Sequence, residues 1–388
     1  MPHYWRLSQF YLFYFASLGA LIPYWSLYLE SQGFTPRQIG ELMAVLMATK
    51  IVAPNVWGWI ADHTGRGMGV VRVGSLLALV AFAGVFLATG FWQMAAAMLI
   101  FSFFWNAILP QFEAVTLEHL GNAHHRYSII RLWGSLGFIV TVVGVGFLLD
   151  FLPVELLPMI LAALMGGIWI SSLQVEDGRR DPHHSQGPNL RSVLTRPTVV
   201  VLLTCCFLMQ ASHGPYYTFY TLYLEQHGYS GSLIGQLWAL GVLAEVAVFL
   251  IMHRLVSRFG LENLLVASLL LAAVRWVMIG SWPDQMVLVL AAQLLHAASF
   301  GVFHASAVAL VHRLFPSRHQ GKGQALYSSL SFGAGGAVGS LYSGYLWERW
   351  NLETSFFLAA GIAFLGAILA GMGLNARTKS GRNAGFRP

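Results

Sequence analysis

The chain has 388 residues, 56% of them hydrophobic and only 10% charged, with a mean hydropathy of +0.62 and a formal net charge of +6. Soluble globular domains carry about 25% charged residues, so this composition excludes a soluble globule and reads as a multi-pass membrane protein. The basic excess, with no separate basic domain to hold it, points to anionic lipid at one membrane face and away from nucleic acid.

At ~20 apolar residues per crossing, twelve segments qualify: 7–29, 36–60, 70–90, 92–117, 128–149, 154–174, 198–223, 231–252, 262–281, 286–310, 323–346 and 353–373. Helices are expected throughout, because an open sheet would leave backbone groups unpaired in hydrocarbon. Of the 22 Lys and Arg, Lys50, Arg131 and Arg275 lie inside these segments, and Arg72, at the very start of the third, counts with its flank. Of the other 19, 17 fall on the side of the N-terminus, and only Arg37 and Arg349 fall opposite. The positive-inside rule therefore places both termini in the cytoplasm of a plasma, or bacterial inner, membrane. The first apolar run is too long for a signal-peptide core and lacks a clear cleavage site, so it reads as a retained span.

In chain order, the first segment is crowded with aromatics, among which Tyr24 and Tyr28 stand i, i+4 on one face and can line a cavity. The stretch that follows occurs twice: residues 27–42 align without a gap on 222–237, with eight identities in sixteen positions. The chain is thus a duplicated unit. Carrying the offset forward places Gly65 opposite Gly260 and Lys50 opposite Glu245, two opposite charges at one equivalent position. A lysine in mid-span costs about 2.5–3.5 kcal/mol on insertion scales, so Lys50 should face inward and be paired.

The second segment ends in Gly58-Trp-Ile-Ala-Asp62-His-Thr-Gly65-Arg66. Gly58 permits close helix contact, Gly65 supplies a turn, and Asp62 with Arg66 can latch the adjacent membrane face. The equivalent stretch before Gly260 has Ser257 in place of the acid. Further on, Glu113 and Arg131 lie about equally far from a turn near Asn122, so they should reach one depth and can pair. Residues 175–197 are polar, with Gly178, Pro182, Gly187 and Pro188, and read as a cytoplasmic linker. Paired histidines at 124–125 and 183–184 belong to loops, and no metal site is expected. Cys205 and Cys206 are adjacent within a span and form no disulfide framework.

In the second half, Gly214 and Pro215 can open the seventh segment beside Tyr216 and Tyr220. Glu245 is a carboxylate deep in the eighth, able to carry a proton or to pair with Lys50. Arg275 and Trp276 follow in the ninth, and His296 and His304 in the tenth, with His304 read as a satisfied core histidine. Glycines crowd the eleventh. No Ser/His/acid or Cys/His arrangement and no phosphate loop appears, so no enzyme and no cofactor is expected.

The 58–66 stretch resembles the loop signature of the major facilitator superfamily. The run Arg131-Leu-Trp-Gly-Ser-Leu-Gly-Phe138, with Glu113 eighteen residues before the arginine, is similar to the lactose permease branch. Phe138 stands where sugar carriers of that branch have a tryptophan that stacks on galactose, which speaks against a galactoside. Arg275 and His296 fall near that branch's arginine and histidine, whereas its proton-bearing glutamate is missing around Ser299. Within the branch the chain, including the run at 239–245, looks most like the phenylpropionic acid transporter family.

The resemblance implies an all-α integral membrane protein of twelve transmembrane helices in two six-helix repeats. The halves should be 1–174 and 198–374, with the linker between them and a basic tail over 375–388. It implies proton-coupled symport of a small aromatic carboxylate by alternating access, with the bilayer as the other partner. An oligosaccharide or nucleoside symporter, a drug or metabolite exporter, and a sensor without flux remain as alternatives, and the oligomeric state stays open. Three interior cations (Lys50, Arg131, Arg275) against two carboxylates (Glu113, Glu245) leave one positive charge, which suits a monoanion. The expected substrate site is therefore Lys50, Arg275, Glu113, Arg131, Phe138, Tyr24, Tyr28, Tyr216 and Tyr220. Glu245 and His296 are expected to handle the proton, and Gly58, Asp62, Gly65 and Arg66 the gating.

Overall fold

A computed structural model describes residues 3–177, 190–316 and 319–374. The histidines at 183–184 and the tail lie outside that description, as do the side chains of 124 and 125. Eleven helices among the described residues are long and apolar enough to cross a bilayer: α1 (Tyr4–Ser31), α2 (Pro36–Thr64), α3 (Gly67–Leu87), α4 (Phe91–Leu120), α5 (Tyr127–Leu149), α6 (Val154–Leu173), α7 (Pro197–Gln226), α8 (Gly231–Phe259), α9 (Leu261–Ser281), α10 (Met286–Leu314) and α12 (Leu352–Gly373). The remaining stretch, α11, is helical over Gln320–Ser328 and Gly336–Arg349 and π-helical over Ser329–Gly335 between them. It is one of the twelve expected crossings, and its glycines and serines keep it less apolar than the other eleven.

The sequence repeat returns as a backbone repeat. Gly33 and Gly228, one repeat apart, have φ of 83° and 79°, and Gly65 and Gly260 have 66° and 77°. Only glycine adopts that region without strain. At the end of α1 the N–H of Gly33 donates to Glu30 O and that of Phe34 to Leu29 O; at the end of α7 Gly228 donates to Glu225 O and Tyr229 to Leu224 O. The next helix is capped alike in both copies, by Thr35 Oγ1 accepting from the N–H of Gln38 and by Ser230 Oγ accepting from that of Leu233. The duplicated stretch is therefore a helix stop, a glycine turn and an N-cap.

Contacts group the chain into two compact units, Met1–His183 with Tyr217–Ala239, and His184–Tyr216 with Leu240–Pro388. This division differs from the expected halves in one respect: the end of α7 and the start of α8 belong with the first six helices. In the first unit α1 is central. Gly137 of α5 sits on the backbone of Leu12, and Gly19 of α1 on that of Phe138, where an added Cβ would lie 2.7 Å from the Phe138 carbonyl oxygen. Gly167 of α6 meets the ring of Phe13. Small residues replace the hydrophobic effect as the means of holding helices together in lipid, because close backbones maximise dispersion contact.

In the second unit α7 is interrupted at His213. Pro215 has no N–H to give to Ala211 O, and that carbonyl accepts instead from the hydroxyl of Tyr342 in α11, at 3.1 Å. Gly214 lies directly against Gly339 at the same crossing. Gly214→Ala should therefore cost about 1–3 kcal/mol, the usual range for overpacking. Gly361→Ala, where an added methyl meets nothing within 4 Å, should leave stability unchanged. Thermal unfolding of the two variants in detergent checks the contrast.

Candidate functional site

Among the described residues, two clusters inside the helices join an arginine to a carboxylate or an imidazole, one in each unit. In the first unit, Arg131 of α5 holds its Nε 4.0 Å from Glu113 Oε1 of α4. Tyr127, one turn before Arg131, donates its hydroxyl to the same carboxylate oxygen at 3.1 Å. The guanidinium carbon lies 3.7 Å from the centre of the Phe15 ring and 5.7 Å from that of Tyr11. Gly134 makes room for this stack, since a Cβ there would come within 2.8 Å of both Phe15 and Arg131. The ion-pair side chains stay 30% and 37% exposed. Phe138, two turns along α5, is half-buried.

Lys50 sits half-buried in mid-helix on α2. Among the described residues its ammonium has no hydrogen bond and no ion pair. The neighbouring polar groups are bonded to one another: Thr49 donates to Ser102 at 3.0 Å, and Asn106 donates to Thr49 at 2.8 Å and to Leu46 O at 3.1 Å. Glu245, the partner expected for Lys50, belongs to the other unit and faces His296 there.

That second cluster centres on Arg275, fully buried on α9. Its Nε donates to Ala292 O at 2.9 Å; one terminal nitrogen donates to Ser299 Oγ at 3.2 Å and to His296 Nδ1 at 3.1 Å, and the other to Gln293 Oε1 at 3.4 Å. The guanidinium carbon is 4.1 Å from the Tyr216 ring centre and 4.6 Å from that of Trp276. Every hydrogen-bond acceptor in this set is neutral. An arginine nitrogen can only donate, so His296 Nδ1 must accept, which leaves the proton of the neutral ring on Nε2. That nitrogen faces Glu245 Oε2 at 3.8 Å.

Glycines bring these helices within reach. A Cβ on Gly241 would meet Gln293 at 3.3 Å and His296 at 3.4 Å, and one on Gly301 would meet Glu245 Cγ at 3.1 Å. Gly301 lies in a π-helical turn, Ala297–Val302, directly after His296. Such turns shift the register of a helix and recur at functional positions. His304 bonds Tyr327 through Nδ1 at 2.9 Å, as a satisfied core histidine should.

The other expected site residues lie elsewhere. Tyr24 spends its hydroxyl on Val142 O at 2.6 Å, a helix-packing bond within the first unit. Tyr28 packs on Trp25 with ring centres 4.8 Å apart, and Tyr220 meets Trp238 edge-on at 5.8 Å. Tyr216 joins the cluster around Arg275. In the loop after α2, Gly65 closes the helix in the left-handed region while Asp62 and Arg66 are exposed beside it. Gly58 lies 3.3 Å, as a Cβ would measure it, from the side chain of Gln111. This face has a further clasp: Asp177 accepts from the N–H of Met68 at 2.6 Å, and Arg72 donates to Val175 O at 2.6 Å.

Sequence reasoning passed over Phe15, Tyr127 and Gln293, and met Ser299 only as the place of a missing glutamate. Tyr127 and Gln293 carried a signal, being polar groups one helical turn from Arg131 and His296; nothing local marks Phe15.

The family model described as "MFS_1 like family" matches residues 4–359. The chain is 29% identical over 381 residues to the "Probable 3-phenylpropionic acid transporter" of Escherichia coli (strain K12), covering 94% of each. It is 27% identical over 375 residues to the maltose permease of Geobacillus stearothermophilus, covering 94% of this chain and 93% of that one. Among solved structures, the nucleoside transporter NupG superposes with a TM-score of 0.80 at 17% identity, over 97% of this chain and 100% of that one.

Arg275→Lys retains the charge and loses the fork. A lysine cannot serve acceptors on both sides of a planar group at once, so buried oxygens at Ala292 and Ser299 are left short of donors, at about 1–3 kcal/mol for a group left without one, while Gln293 keeps the Tyr216 hydroxyl. The expected outcome is a lowered thermal midpoint in detergent, with Arg131→Lys, at its more open site, affected less.

Proposed function

The chain belongs to the MFS_1 like family and is a multi-pass secondary transporter of the membrane, not an enzyme; from that premise we propose that it carries a small aromatic carboxylate, such as 3-phenylpropionate, together with a proton. The observation that carries this reading is the chain of contacts Glu245–His296–Arg275. Arg275 holds the imidazole neutral on the side it touches and turns Nε2–H toward the carboxylate. A carboxylate so placed takes up a proton at one stage of the cycle and returns it at another, with His296 as the adjacent relay. When Glu245 is protonated the second unit has lost its compensating negative charge, and a substrate carboxylate restores it. Proton and anion then raise each other's affinity by the same factor.

Lys50 supports the anionic substrate. A half-buried ammonium without a counter-ion in mid-span is costly, and a bound carboxylate relieves that cost. Rings for an aromatic body are at hand in both units, at Phe15 beside Arg131 and at Tyr216 and Trp276 beside Arg275. The similarity to a protein described as a 3-phenylpropionic acid transporter points the same way. The similarity to a maltose permease favours a second reading, an oligosaccharide symporter. Competition of uptake by maltose against 3-phenylpropionate separates the two. We further propose a bacterial inner-membrane or plasma-membrane location with both termini cytoplasmic, six-helix halves joined by the 175–197 linker, and gating by Gly58, Asp62, Gly65 and Arg66 during alternating access.

Glu245→Gln fixes the residue in a form like its protonated state. In proteoliposomes it should exchange 3-phenylpropionate across the membrane at no less than about a tenth of the parent rate, yet fail to accumulate it when the outside is made acidic. Accumulation by the variant would move the proton to another group.

Lys50→Gln should weaken 3-phenylpropionate binding by about tenfold or more, the equivalent of ~1.4 kcal/mol. The uncharged amide of the same acid should bind parent and variant equally weakly. Titration calorimetry with acid and amide reads both, and equal affinity of the parent for the two ligands would falsify an anion site.

A further inference from the structure

The end of α7 and the start of α8 pack with the first six helices because of one seam, at the ends of α1 and α5 remote from the N-terminus. Tyr24 of α1 donates to Val142 O of α5 at 2.6 Å, and an added Cβ on Gly235 of α8 would lie 2.6 Å from that same carbonyl oxygen and 2.9 Å from the Tyr24 hydroxyl. Gly146 of α5 and Gly231 of α8 touch backbone to backbone, so neither admits a side chain. Ser26 of α1 donates to Thr218 O of α7. Above these contacts Asp150, just past the end of α5, accepts at 3.2 Å from the N–H of Ser232 and also from its hydroxyl.

Asp150 thus caps a helix to which it is not joined. A carboxylate at a helix N-terminus satisfies N–H groups that the helix cannot, and it meets the positive end of the helix dipole. The other contacts of the seam are close backbone packing and hydrogen bonds between neutral groups. The capping bond alone is directional and charged, and it lies at the rim, where Asp150 is exposed. A cavity of about 410 Å³ lined by Leu27, Leu149 and Leu152 opens beside it, so water reaches the bond from outside. A transporter of this family must part such a seam to admit substrate from that face, and the first bond to yield is the one that water can replace.

We propose that Asp150 is the latch of this face, a positioning residue that holds α8 against α5 through the N-terminus of α8 and sets the balance between the closed and open seam. Removing it should shift that balance toward open without touching the charged clusters.

The test needs no substrate. A cysteine placed at Ser26, buried beneath the latch, reports seam opening through its labelling by a membrane-impermeant maleimide in intact full-length protein; native Cys205 and Cys206 are both buried and serve as the blank. In D150A, labelling should rise about threefold to tenfold, the range a charged capping bond supports. D150N keeps an acceptor oxygen but loses the charge, and should fall between the parent and D150A. S232A removes only the hydroxyl donor, is tolerated at the surface, and should rise less than D150A. G146A forces the same surfaces apart and should label strongly. Labelling of D150A at the parent level overturns the proposal, and so does an unchanged S232A if D150A does not fold.

Discussion

A guanidinium buried in a membrane helix has to find acceptors for its donors inside the protein, because lipid offers none. Arg275 obeys this constraint with a backbone carbonyl, an amide, a hydroxyl and an imidazole, and much of the second unit is arranged to meet it. Gly241 brings α8 close enough for the imidazole to fit, the π-turn that follows His296 adjusts the register of α10, and Tyr216 and Trp276 cover the faces of the cation. Because all the acceptors are neutral, the positive charge is solvated and not cancelled. That residual charge is what allows Glu245, one residue further out, to matter electrostatically.

The first unit solves the same problem differently. Arg131 has a carboxylate partner in Glu113 and an aromatic face in Phe15, and both charged side chains keep about a third of their surface exposed. An exposed pair of this kind contributes little to stability. Lys50 stands at the other extreme, with no partner among the described residues. Together the three cations form a graded series: one solvated by neutral groups, one paired and open, one bare.

Close packing in this protein is the work of glycine, and the glycines fall into two kinds. Those at Gly33, Gly65, Gly228 and Gly260 are needed for their backbone conformation, and adding a Cβ would strain φ even though no neighbour is near at the first three. Those at Gly137, Gly146, Gly214 and Gly231 are ordinary helical residues that backbone atoms of another helix press against. These four turn glycines repeat with the sequence duplication; of the packing glycines Gly214 has an equivalent in Gly19, pressed likewise by another helix's backbone, while Gly137, Gly146 and Gly231 have none.

The amino-acid sequence alone determined the membrane class, the helix positions, the duplication and its turn glycines, since each follows from local composition or from a repeat within sixteen residues. The two glutamates, the histidine and the two arginines of the clusters were also legible, as polar groups that hydrocarbon does not tolerate without a reason. What the sequence left open was partnership. Lys50 and Glu245 look like a pair in the repeat alignment, yet Glu245 meets His296, because partners are chosen by helix rotation and by which glycines let two backbones approach. Tyr24 looks like a cavity residue by its spacing and proves to be a packing bond, since its neighbour Val142 lies on a helix far along the chain. The π-helical turns and the cap that Asp150 places on another helix were invisible for the same reason: they depend on contacts between distant segments, which only the folded chain brings together.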